Sequence, residues 1–260
     1  MVKQASFYSL MSEIGGALLF LREVLRTLVT KPCSLHEVLL QIWRVTIQSF
    51  STTGMAGFFV GAIMTVQFAL QMREFDAMGY LGGLATSGTI REVGPLLIAF
   101  MLSGKVGAYT SAELGTMKVT EQIDAIRCLG ADPIQEIILP RFIGIIVSSF
   151  FLLGLGLIMS ILGGMLMGAF FAGVNPEEYI RHIPTIVTFP SIISGLVKCF
   201  VFAVVLATIC TYRGYSTSGG AKGVGLSVVK TAVATMVGIV IADWMTSFLG
   251  DVVMKLVLGA

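Results

Sequence analysis

The chain has 260 residues, of which 55% are hydrophobic and only 12% are charged, and its formal net charge at pH 7 is +2. This composition excludes an ordinary soluble domain, because several apolar runs are long enough to cross a bilayer. The small net charge gives no electrostatic basis for a nucleic-acid partner. We therefore expect an integral membrane protein.

The N-terminal segment predicts an amphipathic helix over residues 7–28. Its charged side chains fall largely off the apolar stripe, so this helix is expected to lie in the membrane interface and not to cross the bilayer. Lys31 and Pro32 end it, and Ser34-Leu-His-Glu37 is typical of a capping box that starts the next helix. The apolar stripe consists of Phe7, Met11, Ile14, Leu18, Leu21, Leu25 and Leu28.

Five apolar segments predict membrane spans. They cover residues 54–72, 93–112, 142–171, 186–211 and 228–250. The third is longer than one crossing needs, so it is expected to tilt or protrude. Gly57 with Gly61, and Gly164 with Gly168, have the GxxxG spacing that permits close helix–helix approach. We expect an all-α protein with a single domain over residues 1–260, in which residues 1–50 form interfacial or elbow helices and residues 51–260 form the transmembrane bundle.

The distribution of lysine and arginine predicts the orientation of the chain. Basic residues are frequent before the first span, between the second and third, and between the fourth and fifth. They are sparser in the other loops and in the tail. This alternation predicts a cytoplasmic N-terminus and a periplasmic C-terminus, and it places the polar segment around 115–130 in the cytoplasm.

That polar segment follows the second span and predicts a short amphipathic helix over residues 117–129. Val119, Ile123 and Ile126 share one helical face, whereas the neighbouring polar side chains lie off it. Gly130 and the Asp132-Pro133 pair mark its end. Two interpretations remain open, a solvated loop helix and a docking element for a soluble partner.

Charged residues inside spans are costly and tend to be functional. Lys198 lies near the middle of the fourth span, where a substrate pathway competes with snorkelling or a buried ion pair. Asp243, in the fifth span, could pair with Lys198 or contact only backbone and water. Arg91 and Glu92 start the second span at its outer end, and Lys198 lies roughly 18 Å along the fourth span at 1.5 Å per residue. A direct Lys198–Glu92 pair would therefore need tilt, an inward-set second span or a long reach. Otherwise the two residues line different depths of one cavity.

Motifs for catalysis or nucleotide binding are not found. The sequence has no HExxH and no GxSxG, and its four cysteines show no CxxC spacing that would indicate a zinc or disulfide framework. The glycine-rich loop at residues 214–223 fails as a phosphate loop, because Gly220 stands where the motif requires lysine. We expect no enzyme, no cofactor and no metal in this chain, so a nucleotide-driven process would need a partner.

Residues 91–141 carry a block of motifs that resembles the MlaE/YrbE permease family. The block reads Arg-Glu-x-Gly-Pro from Arg91, Ser-Gly-Lys-Val-Gly from Ser103, Ala-Glu-Leu-Gly-Thr-Met-Lys-Val-Thr-Glu-Gln-Ile-Asp-Ala from Ala112, and Asp132-Pro133 followed by Pro140-Arg141. Length and hydropathy are similar over the rest of the chain. Lys105 departs from the pattern, since arginine is expected there; the positive charge persists but the planar guanidinium does not.

The resemblance implies a membrane subunit of an ABC-type lipid transporter, built as a homodimer in the cell inner membrane. It implies that lipid, most simply phospholipid, moves between that membrane and a periplasmic MCE-domain protein. A separate ATPase subunit would bind ATP and magnesium, and a small STAS-domain protein is a further implied partner. The same resemblance supports a place beside the lipid cavity for Arg91 and Glu92, and the mid-span charge of Lys198 predicts that it lines the same path. Because the polar segment is expected in the cytoplasm and the chain lacks a nucleotide site, we expect this region to couple to the ATPase. The candidate coupling residues are Glu113, Lys118, Glu121, Gln122, Asp124 and Arg127.

Two other functions compete with this one. A stand-alone secondary transporter or channel would predict paired structural repeats with broken helices, and no convincing repeat is visible. A membrane-embedded lipid enzyme would need a convergent nucleophile or metal set, which the sequence does not offer.

Overall fold

The structure, a computed structural model, describes the backbone of residues 2–258 and the side chains of residues 11–250 and Val252. This part of the chain is helical and contains no strand. The α-helices are α1 (Val2–Thr30), α2 (Leu35–Glu74), α3 (Leu81–Gly88), α4 (Gly94–Leu102), α5 (Ala108–Val119), α6 (Gln122–Cys128), α7 (Leu139–Met167), α8 (Pro176–Arg181), α9 (Ile183–Ile186), α10 (Phe189–Tyr215) and α11 (Gly220–Leu258).

Short segments of other helix types link several of these elements. A 3-10 turn covers Met78–Tyr80, and wider π-helical turns cover Thr89–Val93, Ser103–Gly107, Ile134–Ile138 and Gly168–Ala172. The π turns at Thr89–Val93 and Ser103–Gly107 link α3, α4 and α5 within the helical stretch Met78–Val119.

Five helical stretches of the described chain are long and apolar enough to cross a membrane. They are Leu35–Glu74, Met78–Val119, Ile134–Ala172, Phe189–Tyr215 and Gly220–Gly250. With α1 before them, they confirm the predicted all-α membrane architecture of an N-terminal helix and five spans.

The first two spans begin earlier than predicted. The helix expected to start after Ser34 and the span expected at 54–72 are one continuous helix, α2, because no proline interrupts them. The second helical stretch starts at Met78 and not at 93, since the glycine-rich residues between these points are helical despite their weak hydropathy. Arg91 and Glu92 therefore lie well inside this stretch and not at its outer end.

The predicted helix over 117–129 is also divided. α5 ends at Val119, and α6 begins only at Gln122. Between them Glu121 adopts a left-handed backbone with φ 60°, a conformation that costs a non-glycine residue about 1 kcal/mol.

The chain folds as two compact units, each assembled from several helices. The first contains the N-terminal residues up to Val45, Ser103–Val147 and Val204–Gly238. In this unit, α1 packs through Phe20 and Val24, which are buried, and the ring of Phe20 lies 5.7 Å from that of Tyr212. Five members of the predicted apolar stripe are exposed instead, which leaves α1 with one packed and one open apolar face: Met11, Ile14, Leu18, Leu25 and Leu28. Leu21 is half-buried, and the side chain of Phe7 lies outside the described residues.

The second unit contains Thr46–Leu102, Ser148–Ala203 and the C-terminal residues from Ile239. Here α2 and α7 touch backbone to backbone. A Cβ added at Gly61 would overlap the carbonyl oxygen of Ser160, and one added at Gly163 would overlap that of Phe58. The Gly57/Gly61 spacing is therefore used for close packing inside the chain.

Candidate functional site

The site is a cluster of charged side chains that lies within the spans of the second unit. Glu92 comes from the π turn before α4, Lys198 from α10, and Asp243 and Ser247 from α11. Asp243 and Ser247 are four residues apart, so they share one face of their helix.

The π turn that holds Glu92 follows from the next two residues. Pro95 has no N–H to donate to the carbonyl of Arg91, which removes one α-helical hydrogen bond. The N–H of Gly94 bonds the carbonyl of Thr89, five residues back, which is the π-helical pattern.

A small residue on α10 brings Lys198 close to this turn. Gly195 lies against the carbonyl oxygen of Ile90, and a Cβ there would overlap that oxygen. The absence of a side chain at Gly195 thus lets α10 approach the backbone beside Glu92, one turn before Lys198 itself.

The ammonium of Lys198 donates to three groups. It makes a short contact with Oε2 of Glu92, and it lies 3.1 Å from Oδ1 of Asp243 and 2.7 Å from Oγ of Ser247. Because an ammonium has three N–H donors, these bonds saturate it. Lys198 is therefore an ion-paired residue within the described chain.

Exposure is unequal across the cluster. The side chain of Lys198 is 2% exposed, whereas that of Glu92 is 49% exposed and that of Asp243 is 24% exposed. Arg91 is exposed and makes no ion pair within the described residues. The cluster therefore covers its own cation and leaves carboxylate surface open.

The sequence analysis identified Glu92, Lys198 and Asp243. It placed Glu92 too close to the end of its span. The expected mismatch between Lys198 and Glu92 rested on a second span starting at 93, and the earlier start at Met78 removes it. Glu92 and Asp243 were alternative partners for Lys198, and the structure pairs Lys198 with both. Ser247 was missed, although its spacing from Asp243 was a signal for a shared helix face.

The residues predicted for ATPase coupling lie in the first unit, and several are bonded within the chain. Lys118 holds both oxygens of Asp124 at 2.9 and 3.0 Å, and Arg127 donates to the hydroxyl of Tyr215 at 2.6 Å. Glu121 and Gln122 are exposed.

Glu113, the remaining predicted coupling residue, accepts a hydrogen bond from Nε of Arg141 at 3.1 Å. It also pairs with Arg44, whose guanidinium lies 3.7 Å from its other oxygen. The structure thus gives Glu113 two basic partners of its own chain.

The apolar face of α6 is occupied by its own chain. Ile123 is 1% exposed and packs with Leu114 and Ile137, and Ile126 lies against this group. A partner docking on α6 would therefore meet its polar side.

An open cleft of about 540 Å³ lies beside the end of α6. Asp132 lines it and accepts a 2.6 Å bond from Lys31 and a 3.0 Å bond from the N–H of Ile134. Burial by itself raises the pKa of Asp132, but the two hydrogen bonds, together with the positive charges of Lys31 and Arg127, outweigh it and leave that pKa below its ordinary value. The other lining residues include Glu23, Arg127, Gly130 and Tyr215.

These features define a polytopic α-helical membrane protein with a saturated ion-pair cluster inside its spans. Residues 38–249 match the model of the family described as Permease MlaE. The chain therefore belongs to the MlaE permease family, and the resemblance seen in residues 91–141 is confirmed.

Relatives in several organisms are similar to most of the chain. A Rickettsia conorii protein named "Probable ABC transporter permease protein" is 32% identical over 232 residues, which cover 89% of this chain and 90% of that protein. The "Intermembrane phospholipid transport system permease protein MlaE" of Haemophilus influenzae is 29% identical over 188 residues, 72% of each chain. The chloroplastic protein "TRIGALACTOSYLDIACYLGLYCEROL 1" of Arabidopsis thaliana is 33% identical over 216 residues, 79% of this chain and 61% of that one.

Proposed function

We propose that this chain is the permease subunit of an ATP-driven transporter that moves phospholipid between the inner membrane and a periplasmic MCE-domain protein. The observation that carries the proposal is the charge cluster around Lys198, which lies in the spans of a chain whose family includes a phospholipid-transport permease. Charged groups at such positions are costly, so they tend to be kept where they serve a pathway.

The lipid's head group meets this cluster, and its acyl chains lie along the apolar surfaces of the spans. Arg91 is an exposed cation beside Glu92, and a guanidinium can bind a phosphate through two parallel hydrogen bonds. Arg91 therefore binds the lipid phosphate, while Lys198 fixes the position of Glu92 and Asp243.

ATP and magnesium bind to a separate ATPase subunit, which docks on the polar side of α6. Support comes from the exposed Glu121 and Gln122, from the neighbouring cleft, and from the relatives named as ABC transporter permeases. The transporter contains two copies of this chain, and the N-terminus and α6 face the cytoplasm. The small STAS-domain protein is a further partner of the same assembly.

Purification of the chain at its native level, followed by reconstitution into vesicles, tests this function. We expect an ATPase to co-purify, and lipid transfer to require ATP hydrolysis. Full lipid transfer by the isolated chain without an ATPase would overturn the proposal in favour of a secondary transporter.

A further inference from the structure

The cluster around Lys198 has unused hydrogen-bond acceptors. Only Oε2 of Glu92 and only Oδ1 of Asp243 are bonded to the ammonium of Lys198. Among the described residues, no donor reaches Oε1 of Glu92 or Oδ2 of Asp243. A carboxylate oxygen without a donor is costly away from water, so a ligand that supplies N–H groups is favoured there.

The charge of the cluster points to the same kind of ligand. One ammonium stands between two carboxylates, so the formal charge of the group is negative. The ammonium is covered and saturated, whereas Glu92 is half-exposed and Asp243 is partly exposed. An anionic group approaching the open part of the cluster would meet the half-exposed Glu92 before it could reach Lys198.

We propose that this cluster selects phospholipids whose head group carries a primary amine. The head-group ammonium binds between the free oxygens of Glu92 and Asp243, and the phosphate of the same lipid lies toward Arg91. The inference rests on the proposed function and names the substrate class of the same site. It assigns Lys198 a positioning role, because its bonds orient both carboxylates.

The chemistry ranks the common head groups. A primary ammonium offers three N–H donors to carboxylate oxygens, and each such bond is charge-assisted. A choline head group keeps the positive charge but has no N–H, so it binds less well. A glycerol head group offers only hydroxyls and leaves the lipid with a net negative charge, so it binds least.

Competition for the intact transporter tests this ranking. The purified complex is incubated in detergent with an equimolar mixture of phosphatidylethanolamine, phosphatidylcholine, phosphatidylglycerol and N-acetyl-phosphatidylethanolamine, all with the same acyl chains. The lipids retained after gel filtration are quantified by mass spectrometry. We expect phosphatidylethanolamine to exceed its N-acetylated form by about tenfold, the ratio that 1.4 kcal/mol produces.

Two variants test whether the preference for phosphatidylethanolamine comes from the cluster around Lys198. Glu92→Gln and Asp243→Asn keep the size of each side chain and remove one charge, so the ratio should fall toward one. The matched control is Glu177→Gln, which removes an exposed carboxylate on α8, outside the spans. It should leave the ratio as in the unchanged protein.

Equal retention of phosphatidylethanolamine and its N-acetylated form, or a preference for phosphatidylglycerol, overturns the inference, even if the two variants cannot be purified. ATP-driven transfer measured on the same preparation separates the two claims. Transfer without an amine preference leaves the proposed function standing and removes the inference. If no lipid is transferred, the proposed function fails, and the retention ratio still reports on what the cluster binds.

Discussion

Lys198 is held by groups from two other parts of the chain, the π turn before α4 and the helix α11. A buried ammonium without partners would cost several kcal/mol, and each carboxylate would be costly without the ammonium. The three charges therefore stabilise one another, so the effect of replacing one depends on what remains of the others.

We expect Lys198→Ala to stop ATP-driven lipid transfer and to destabilise the chain by about 2 kcal/mol, because two partly exposed carboxylates lose the cation they share. Lys198→Arg keeps the positive charge and should retain part of both properties. Thermal unfolding in detergent and transfer between vesicles measure the two effects. Normal transfer by Lys198→Ala would show that the residue has only a structural role.

The double variant Lys198→Ala/Glu92→Gln is the control for stability. It removes one positive and one negative charge, so it should unfold at a higher temperature than Lys198→Ala alone. Lipid transfer should stay lost in both, because neither variant keeps the ammonium that orients the carboxylates.

At this scale the sequence predicts which residues matter better than how they are arranged. A lone lysine in an apolar run is conspicuous, and Arg91 and Glu92 follow from the family motif. Their depth could not be read correctly, because the glycine-rich residues before them are weakly hydrophobic and yet helical. Ser247 has only a weak signal in the sequence, its four-residue spacing from Asp243, and its contact with Lys198 is what distinguishes it from other serines.

Among the elements, the break between α5 and α6 leaves two acidic residues, Glu121 and Asp124, in different surroundings. Asp124 is bonded to Lys118, so reversing its charge would disturb the segment itself. Glu121 is exposed, which makes it the more direct probe of a docking surface.

We expect Glu121→Lys to reduce the amount of ATPase that co-purifies with the chain, because the reversed charge lies on the exposed side of the segment before α6. Membrane insertion should be unchanged. Glu177→Lys, a charge reversal on α8, should leave the co-purified ATPase at its normal level. If Glu121→Lys binds as much ATPase as the unchanged chain, the docking surface lies elsewhere.

The helix α1 has two apolar faces, and sequence periodicity detected only the one that is exposed. The packed face depends on Phe20 and Val24 together with Gly16, where a Cβ would collide with the hydroxyl end of Tyr212. Glycine adds nothing to a hydrophobic stripe, so this face has a weak signal in the sequence. The exposed face is free to contact lipid, as an interfacial helix requires.

We expect that cysteines placed at Ser12 or Arg22, both exposed on α1, will resist an impermeant thiol reagent added from the periplasm. The experiment uses a background in which all four native cysteines are replaced. A cysteine at Glu177 serves as the positive control, because its loop is predicted to be periplasmic. Labelling of Ser12→Cys or Arg22→Cys from that side would show that the predicted orientation is wrong.

For the molecule as a whole, the all-α class, the number of spans and the family followed from hydropathy and one motif block. The packing of the spans could not be predicted in this way, because it depends on where the backbones of two helices meet. Gly57 and Gly61 were predicted only to permit close approach, and the partner helix could not be chosen from spacing alone. The structure identifies α7 as that partner within the second unit.

We expect Gly61→Ala to destabilise the protein by about 3 kcal/mol or more, since the added methyl group would overlap the backbone of Ser160 and force α2 from α7. Its matched control is Gly154→Ala on α7, where nothing lies within 4 Å of the added Cβ. The unfolding temperatures of the two purified variants measure this difference in stability. Equal stability would mean that α2 and α7 separate at little cost.

The contact between α2 and α7 also limits how this gene can change. Every single-nucleotide substitution that replaces glycine introduces either a residue with a Cβ or a stop codon. At Gly61 and Gly163 any such residue collides with backbone, so no neighbouring codon encodes an acceptable alternative. Gly154 on the same helix has open space and can drift. Natural variation in this pair of helices should therefore accumulate at Gly154 while Gly61 and Gly163 stay invariant.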